Sequence, residues 1–236
     1  EPILPVPLDA PGAGLLRMTT DDESTRLARE LRGTIEELLQ ARRTVELQRV
    51  EIGRAATVDP LTGVATRRAV LERLAIEAAE ARRYTHPVAI VLVDVDGFGQ
   101  LNHQHGLAVG DAVLRELALR MRLRIRAADA LGRLGGDSFL AILPHTDERG
   151  AAVFADALRR RLTGRSVETE AGELAVAVSI GVAFIRPGMD LSEEELLTAA
   201  DEALASARAA GGNRIAFDRA HGLIRLEEHR ADSPGA

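Results

Sequence analysis

The stretch PVAIVLVDVDGF, residues 87–98, runs unbroken apolar residues from Val88 to Val93 into two acids, Asp94 and Asp96. A short, β-branched-rich apolar run of this kind reads as a buried strand. Two residues apart, Asp94 and Asp96 point to the same face at its end. Working outward, residues 66–83 carry a helical period, and VGDAVLRELALRMRLRIRA (109–127) reads as an amphipathic helix. Two short strands flank Gly135 and Gly136, followed by a helix through ERGAAVFADALRRRL (148–162) and a long strand ELAVAVSIGVAFI (173–185). A helix from Ser192 to Ala209, capped by Ser192-x-x-Glu195, leads to a last strand, RIAFD (214–218). Helices alternate with strands and one hairpin interrupts them. This predicts an α/β fold with a mixed sheet covered by helices.

The chain has 236 residues and 46% hydrophobic content, enough for one substantial core or for a domain plus an accessory segment. Its net charge of -6 argues against a general attraction to nucleic acid or to anionic membrane surfaces, because both need clustered positive charge. There is no cysteine, so disulfides and thiolate metal sites are excluded, and a reducing cytoplasm is the expected location. No apolar run reaches the roughly 20 residues a membrane helix needs, and no signal peptide is visible. The first residue is Glu1 rather than Met, which predicts a fragment with a sensor or membrane region upstream. Every basic residue other than histidine is Arg.

Residues 1–20 are rich in Pro and Gly and read as a linker. From Thr20, which forms a capping-box pattern with Glu23, the pattern changes. Leu31, Leu38, Val45 and Ile52 recur every seven residues, with Ala28 and Ile35 in the complementary positions. Residues 21–56 therefore read as a coiled-coil helix that dimerises the chain, although Arg42 and Arg49 interrupt the seam. A helix packed on its own domain is the alternative. The globular domain spans 57–218, beginning near DPLTGVATRR, and 219–236 is a polar tail.

Strand-end carboxylates beside a glycine hairpin that carries a further acid, Asp137, suit a divalent cation with a phosphate ligand, since Mg2+ takes hard oxygen donors. By itself this pattern is weak, because acids at strand ends are usually solvated loop starters. His103 and His105 lack a third ligand nearby and read as polar surface. Gly181 suits close backbone packing, and Gly211 a helix stop.

The ordered set DPLTGVATRR, DVDGFGQLNHQHGLAVGD, RLGGDSF, SIGVAF and ADEALASARAAGGNR resembles the GGDEF family of diguanylate cyclases over residues 57–218. The resemblance implies a nucleotidyl-cyclase-palm-like, ferredoxin-like sheet of about five strands. In that family two GTP-loaded domains face each other and form cyclic di-GMP. By the same resemblance Asp94 is the metal-binding strand carboxylate, Asn102 and Asp111 read guanine, Asp137 helps to activate the attacking hydroxyl, and Arg208 stands where a lysine contacts phosphate. Because Asp111 is present, GTP rather than ATP is the implied nucleotide, with Mg2+ bound only alongside it.

Several positions depart from the family pattern. The metal-ligating Glu of the signature is Ser138, and two phosphate-contacting cations are replaced by Gly99 and Gly212. A hydroxyl binds Mg2+ far less well than a carboxylate. Two lost charge-assisted contacts, at about 1.5–3 kcal/mol each, forfeit about two to four decades of affinity. His103, Leu107 and Ala205 also depart from the pattern. By contrast the Arg126-x-x-Asp129 step keeps the family's inhibitory spacing, five residues before the signature. There a guanidinium can fork onto guanine O6 and N7 while a carboxylate accepts from N1 and N2. One of Arg159, Arg160 and Arg161 is a candidate second clamp, or the run is a solvated face.

These readings predict a degenerate GGDEF domain acting as a cyclic di-GMP receptor at Arg126 and Asp129. It would be a homodimer through its N-terminal helix, with a protein partner and little or no cyclase activity. The alternatives are a weakly active diguanylate cyclase and a GTP-sensing or scaffold module.

Overall fold

The computed structural model describes residues 26, 28, 31–44 and 57–218. Two compact units divide the chain, Glu1–Ala56 and Thr57–Ala236. In the first, residues 31–44 form helix α1, whose side chains are all exposed. Leu31, Ile35 and Leu38 lie four and three residues apart on one helical face and are 63%, 47% and 64% exposed. An apolar stripe on α1 is thus unburied within the single chain, and Arg42 is also exposed. The Thr20–Glu23 capping box, the seam positions Val45, Arg49 and Ile52, and segments 1–20 and 219–236 lie outside the described residues.

The second unit contains α2 (Arg67–Tyr84), β1 (Val88–Val95), α3 (Phe98–His105), α4 (Leu107–Arg122), β2 (Ala130–Gly135) and β3 (Ser138–Pro144). After these come α5 (Glu148–Thr163), β4 (Val167–Thr169), β5 (Gly172–Leu174), β6 (Val178–Ile185), α6 (Glu193–Ala209) and β7 (Ile215–Phe217). The main sheet has the order β2-β3-β1-β6-β7. It is antiparallel except at the parallel β6–β7 edge. The mixed five-stranded sheet expected from the sequence is therefore present, and β4 and β5 form a separate hairpin.

Strand β1 is buried along its whole length. Ala89, Val91, Val93 and Val95 join Val113, Leu117 and Leu158 of α4 and α5 in one apolar cluster. Val88, Ile90 and Leu92 join Leu74, Leu196 and Leu204 of α2 and α6 in another. The two-residue period of the strand thus feeds two cores, one on each face. Asp94 continues the even-numbered set and so falls on the α6 side.

How close α6 lies on the sheet is set at Gly181. A Cβ there would overlap the Ala200 carbonyl oxygen and come within 2.5 Å of the Leu204 amide nitrogen. The glycine lets α6 settle directly on β6 and brings its last turn, with Arg208, over the end of β1. Ser192 caps α6 in a full capping box with Glu195, as the sequence predicts.

Three elements differ from expectation. The helix predicted over 109–127 spans Leu107–Arg122 instead. Beyond it the Asp129 carboxylate accepts from the Arg126 amide at 2.9 Å, and the Asp129 amide donates to the Arg126 carbonyl at 3.1 Å. This side-chain-locked turn competes with helix continuation. The strand predicted over 173–185 is broken: β5 pairs with β4, and β6 begins at Val178. Helix α3, only eight residues long and without a buried residue, has no apolar stripe to announce it.

Candidate functional site

Register places Asp94 between two serines, opposite Ser138 on β3 and Ser179 on β6. The Ser138 hydroxyl donates to Asp94 Oδ2 at 2.5 Å, and the Arg208 guanidinium forms an ion pair with Asp94 Oδ1. Asp94 itself is buried, at 5% exposure. Both of its oxygens therefore have partners within the chain, one of them a cation.

Asp137 stands in the turn between β2 and β3. Burial first, and then the negative charge of Asp94, push its carboxyl above the ordinary aspartate value, against the pull of Arg208 and Arg133. The turn is anchored from below. Arg133 donates from Nε and from its second terminal nitrogen to the Gly136 carbonyl, at 2.9 and 2.6 Å, and pairs with Asp59 at 3.4 Å. Asp59 also accepts from the Thr62 amide and hydroxyl, at 2.9 and 2.6 Å. Partial burial opposes ionisation of Asp59, but these bonds and the Arg133 charge outweigh it and hold its carboxyl below the usual value. The DPLT segment and the signature turn are thus one hydrogen-bonded assembly. Sequence reading did not assign Asp59 and Arg133 this task; an acid and an arginine 74 positions apart give no local signal.

Asp96 does not share the ligands of Asp94. It accepts from the Ser179 hydroxyl and from the Asn213 amide, each at 2.7 Å. Gly212, at φ +70°, lies so close that a Cβ would meet Asp96 Oδ2 at 2.8 Å. An arginine at this position would need both a strained backbone and a displaced Asp96. Asn102, on α3, packs against Gly110 of α4, where any Cβ would overlap its side-chain oxygen. That buried oxygen has no hydrogen-bond partner. Asp111 follows on α4 and is half-buried. Asp94, Asp137, Ser138 and Arg208 therefore form one cluster, whereas Asn102 and Asp111 belong to the α3–α4 pair.

The donor set does not fit a resident divalent cation. Among the described residues no three His, Asp or Glu side chains come together as a metal-binding group. Of the strand-end carboxylates, Asp94 is committed to Ser138 and Arg208, and Asp96 to the Ser179 hydroxyl and the Asn213 amide. Mg2+ requires free, charged oxygens in a near-octahedral shell.

At the other end of β1 lies a separate pocket of about 310 Å3, lined by Arg126, Asp129, His145, Phe154 and neighbouring residues. The Arg126 side chain is exposed and has no hydrogen-bond or ion-pair partner among the described residues. Asp129, held by the Arg126 amide, is fixed without being neutralised by a side-chain cation. The second clamp sought in Arg159–Arg161 is absent from this pocket. Arg159 bonds the Asn213 side chain at 3.3 Å, Arg160 pairs with Asp156, and Arg161 lines a different groove beside Arg120. All three arginines lie in the last turns of α5, whereas the pocket uses Gly150 and Phe154, nearer its start.

A mixed sheet with acids at the end of its central strand, facing a glycine-rich hairpin, is the architecture of the GGDEF domain. The chain belongs to that family: the pattern described as diguanylate cyclase, GGDEF domain, matches residues 56–214. It is 33% identical over 191 residues to the response regulator PleD of Caulobacter vibrioides, covering 79% of this chain and 42% of PleD. It is 31% identical to the diguanylate cyclase DosC of Escherichia coli, covering 79% of this chain and 40% of DosC. The chain thus spans about two fifths of the length of these relatives. Among solved structures it is similar to the GGDEF domain of DgcB from Caulobacter crescentus in complex with c-di-GMP. That match has a TM-score of 0.65 and 28% identity, and covers 69% of this chain and 96% of the other. It is also similar to the diguanylate cyclase SiaD of Pseudomonas aeruginosa in complex with its activator SiaC. There the TM-score is 0.65 and the identity 30%, with 86% and 79% of the two chains covered. Among the described residues no helix is long and apolar enough to cross a membrane.

Proposed function

We propose that this GGDEF domain is a receptor for cyclic di-GMP with little or no diguanylate cyclase activity, binding its ligand at Arg126 and Asp129. The observation that carries the reading is a contrast in unspent charge. Asp94 has both oxygens engaged inside the chain, whereas the Arg126 guanidinium is exposed and unpartnered. Ser138 supplies a hydroxyl where a metal-holding carboxylate would stand, and Gly99 and Gly212 supply no cation for a triphosphate. Mg2+ enters only if GTP brings it. The structure of the DgcB domain in complex with c-di-GMP supports the ligand class.

The exposed stripe of Leu31, Ile35 and Leu38 supports a homodimer through α1, because isolated apolar seams gain most from pairing. Ligand binding would then act on the dimer or on a partner protein. The SiaD complex with its activator SiaC supports a protein partner. A cytoplasmic location fits this role.

Equilibrium dialysis tests the reading. Cyclic di-GMP is retained by the unsubstituted protein and not by Arg126→Ala; equal retention, or none by either, contradicts it. One observation favours a slow cyclase as a second reading: the Asn102 side-chain oxygen is buried without a partner, so a guanine donor could satisfy it. Turnover of GTP with Mg2+ that disappears in Asp94→Ala would select that reading.

A further inference from the structure

Helix α4 carries apolar side chains on two faces. Val113, Leu117 and Met121 enter the core. Leu119 and Leu123 lie about 200° around the helix from Leu117 and Met121, and they are 51% and 63% exposed. Spaced four residues apart, they form a short outward stripe. Core packing accounts for the first face and makes no use of the second. The stripe lines a groove of about 1060 Å3, against about 310 Å3 for the pocket at Arg126. Its other walls are the C-terminal end of α5 and the β4–β5 hairpin. A buried arginine holds the three elements together. Arg120 donates to the Leu162, Arg165 and Ser166 carbonyls at 3.1, 2.7 and 2.9 Å, and to the Glu116 carboxylate at 2.8 Å. The turn from α5 into β4 is thereby fixed against α4, so the groove is set before anything docks and little ordering remains to oppose binding.

The walls carry opposite charge. The end of α5 and the turn after it contribute Arg161 and Arg165, and the hairpin contributes Glu168 and Glu173. All four are exposed. Arg161, Arg165 and Glu168 have no side-chain partner among the described residues, and Glu173 accepts only the Ser166 hydroxyl, at 3.1 Å. A polyanion such as nucleic acid would meet the glutamates with like charge, and a uniformly basic partner would meet the arginines so. A surface with one basic wall, one acidic wall and an apolar stripe instead complements a copy of itself. Rotating the second copy by 180° sets base on acid twice and leucine on leucine.

We infer that this groove is a two-fold contact surface for a second copy of the chain. Leu119 and Leu123 pack on the same residues of the other copy, while Arg161 and Arg165 of each pair with Glu168 and Glu173 of the other. The inference depends neither on a ligand at Arg126 nor on pairing through α1. A contact of this size is weak by itself, and it fills wherever another interaction already raises the local concentration of the second domain.

Sedimentation equilibrium of the full chain tests it, in a background of Leu31→Asp, Ile35→Asp and Leu38→Asp that takes the exposed α1 stripe out of the measurement. The expected result is a reversible monomer–dimer equilibrium that weakens as salt is added. Leu123→Asp weakens it about tenfold or more, through lost apolar burial. Arg161→Glu with Arg165→Glu also weakens it about tenfold or more, since each reversal acts twice in a two-fold contact. Adding Glu168→Arg and Glu173→Arg to that chain restores association to within about threefold of the background, because base again meets acid. All of these positions are exposed, and matching thermal midpoints confirm that the variants fold. A monomer at every concentration reached overturns the inference and leaves the groove to a different protein. Association that ignores Leu123→Asp, ignores the arginine reversals, or is not restored by the combined reversal overturns it as well.

Discussion

The two polar sites of this domain lie at opposite ends of its central strand, and they treat charge in opposite ways. At the Asp94 end the carboxylate is answered by a hydroxyl and a guanidinium from its own chain. At the Pro87 end a fixed carboxylate and an unpartnered guanidinium face an open pocket. From Pro87 to Asp94 the strand runs about 23 Å, seven residues at about 3.3 Å each. A polar group satisfied inside the chain gains little from a ligand, because binding must first break what is already made. Charge left unspent, on a backbone already fixed, is where a ligand gains most.

The largest expected effect breaks the open end. Arg126→Ala removes charge-assisted bonds worth about 1.5–3 kcal/mol, so calorimetry gives cyclic di-GMP affinity about 10- to 150-fold weaker. Next, Ser138→Glu reopens the closed end by setting a second carboxylate opposite Asp94. Without metal it lowers stability by about 2 kcal/mol in denaturant titrations, through lost hydrogen bonding and like-charge repulsion. Added Mg2+ raises the thermal midpoint of this variant and leaves that of the parent unchanged.

Asp59→Asn sharpens the contrast from below by loosening the anchor of the signature turn. Because the folded carboxyl titrates below the ordinary aspartate value, its contribution is present above that ordinary value and lost as pH falls through the folded value. The substitution therefore costs about 1 kcal/mol at pH 7 and almost nothing in strong acid. The smallest effect has the opposite sign. Asp137 is raised in the fold, so its ionised form is unfavourable, and stability is lost as pH rises through the folded value. Asp137→Asn stabilises at neutral pH by less than about 1 kcal/mol, because the site is partly solvated, and brings no gain in acid. Chemical denaturation at two pH values checks both signs.

The strand PVAIVLVDV, the capping box at Ser192 and the glycine hairpin were legible because each depends on residues close in sequence. Local signals misread 123–127, where alternating Leu, Ile and Arg prolong a helical pattern that the Asp129 side chain ends. The family resemblance identified Asp94, Asp137 and Arg208 as candidates without revealing that Arg208 and Ser138 each engage one oxygen of Asp94. That depends on β1–β3 register and on how closely Gly181 seats α6. Gly212 was legible as a missing cation, but its close contact with Asp96, which an arginine there would have to displace, was not.

The proposed reading is that ligand binding is kept at the Pro87 end of β1 and lost at the Asp94 end. Calorimetric titration of a single preparation with cyclic di-GMP and, separately, with GTP and Mg2+ tests it most directly. The account predicts saturable heat from the dinucleotide that weakens about 10- to 150-fold in Arg126→Ala, and no Mg2+-dependent heat from GTP. Tight, Mg2+-dependent GTP binding with no response to cyclic di-GMP would contradict it.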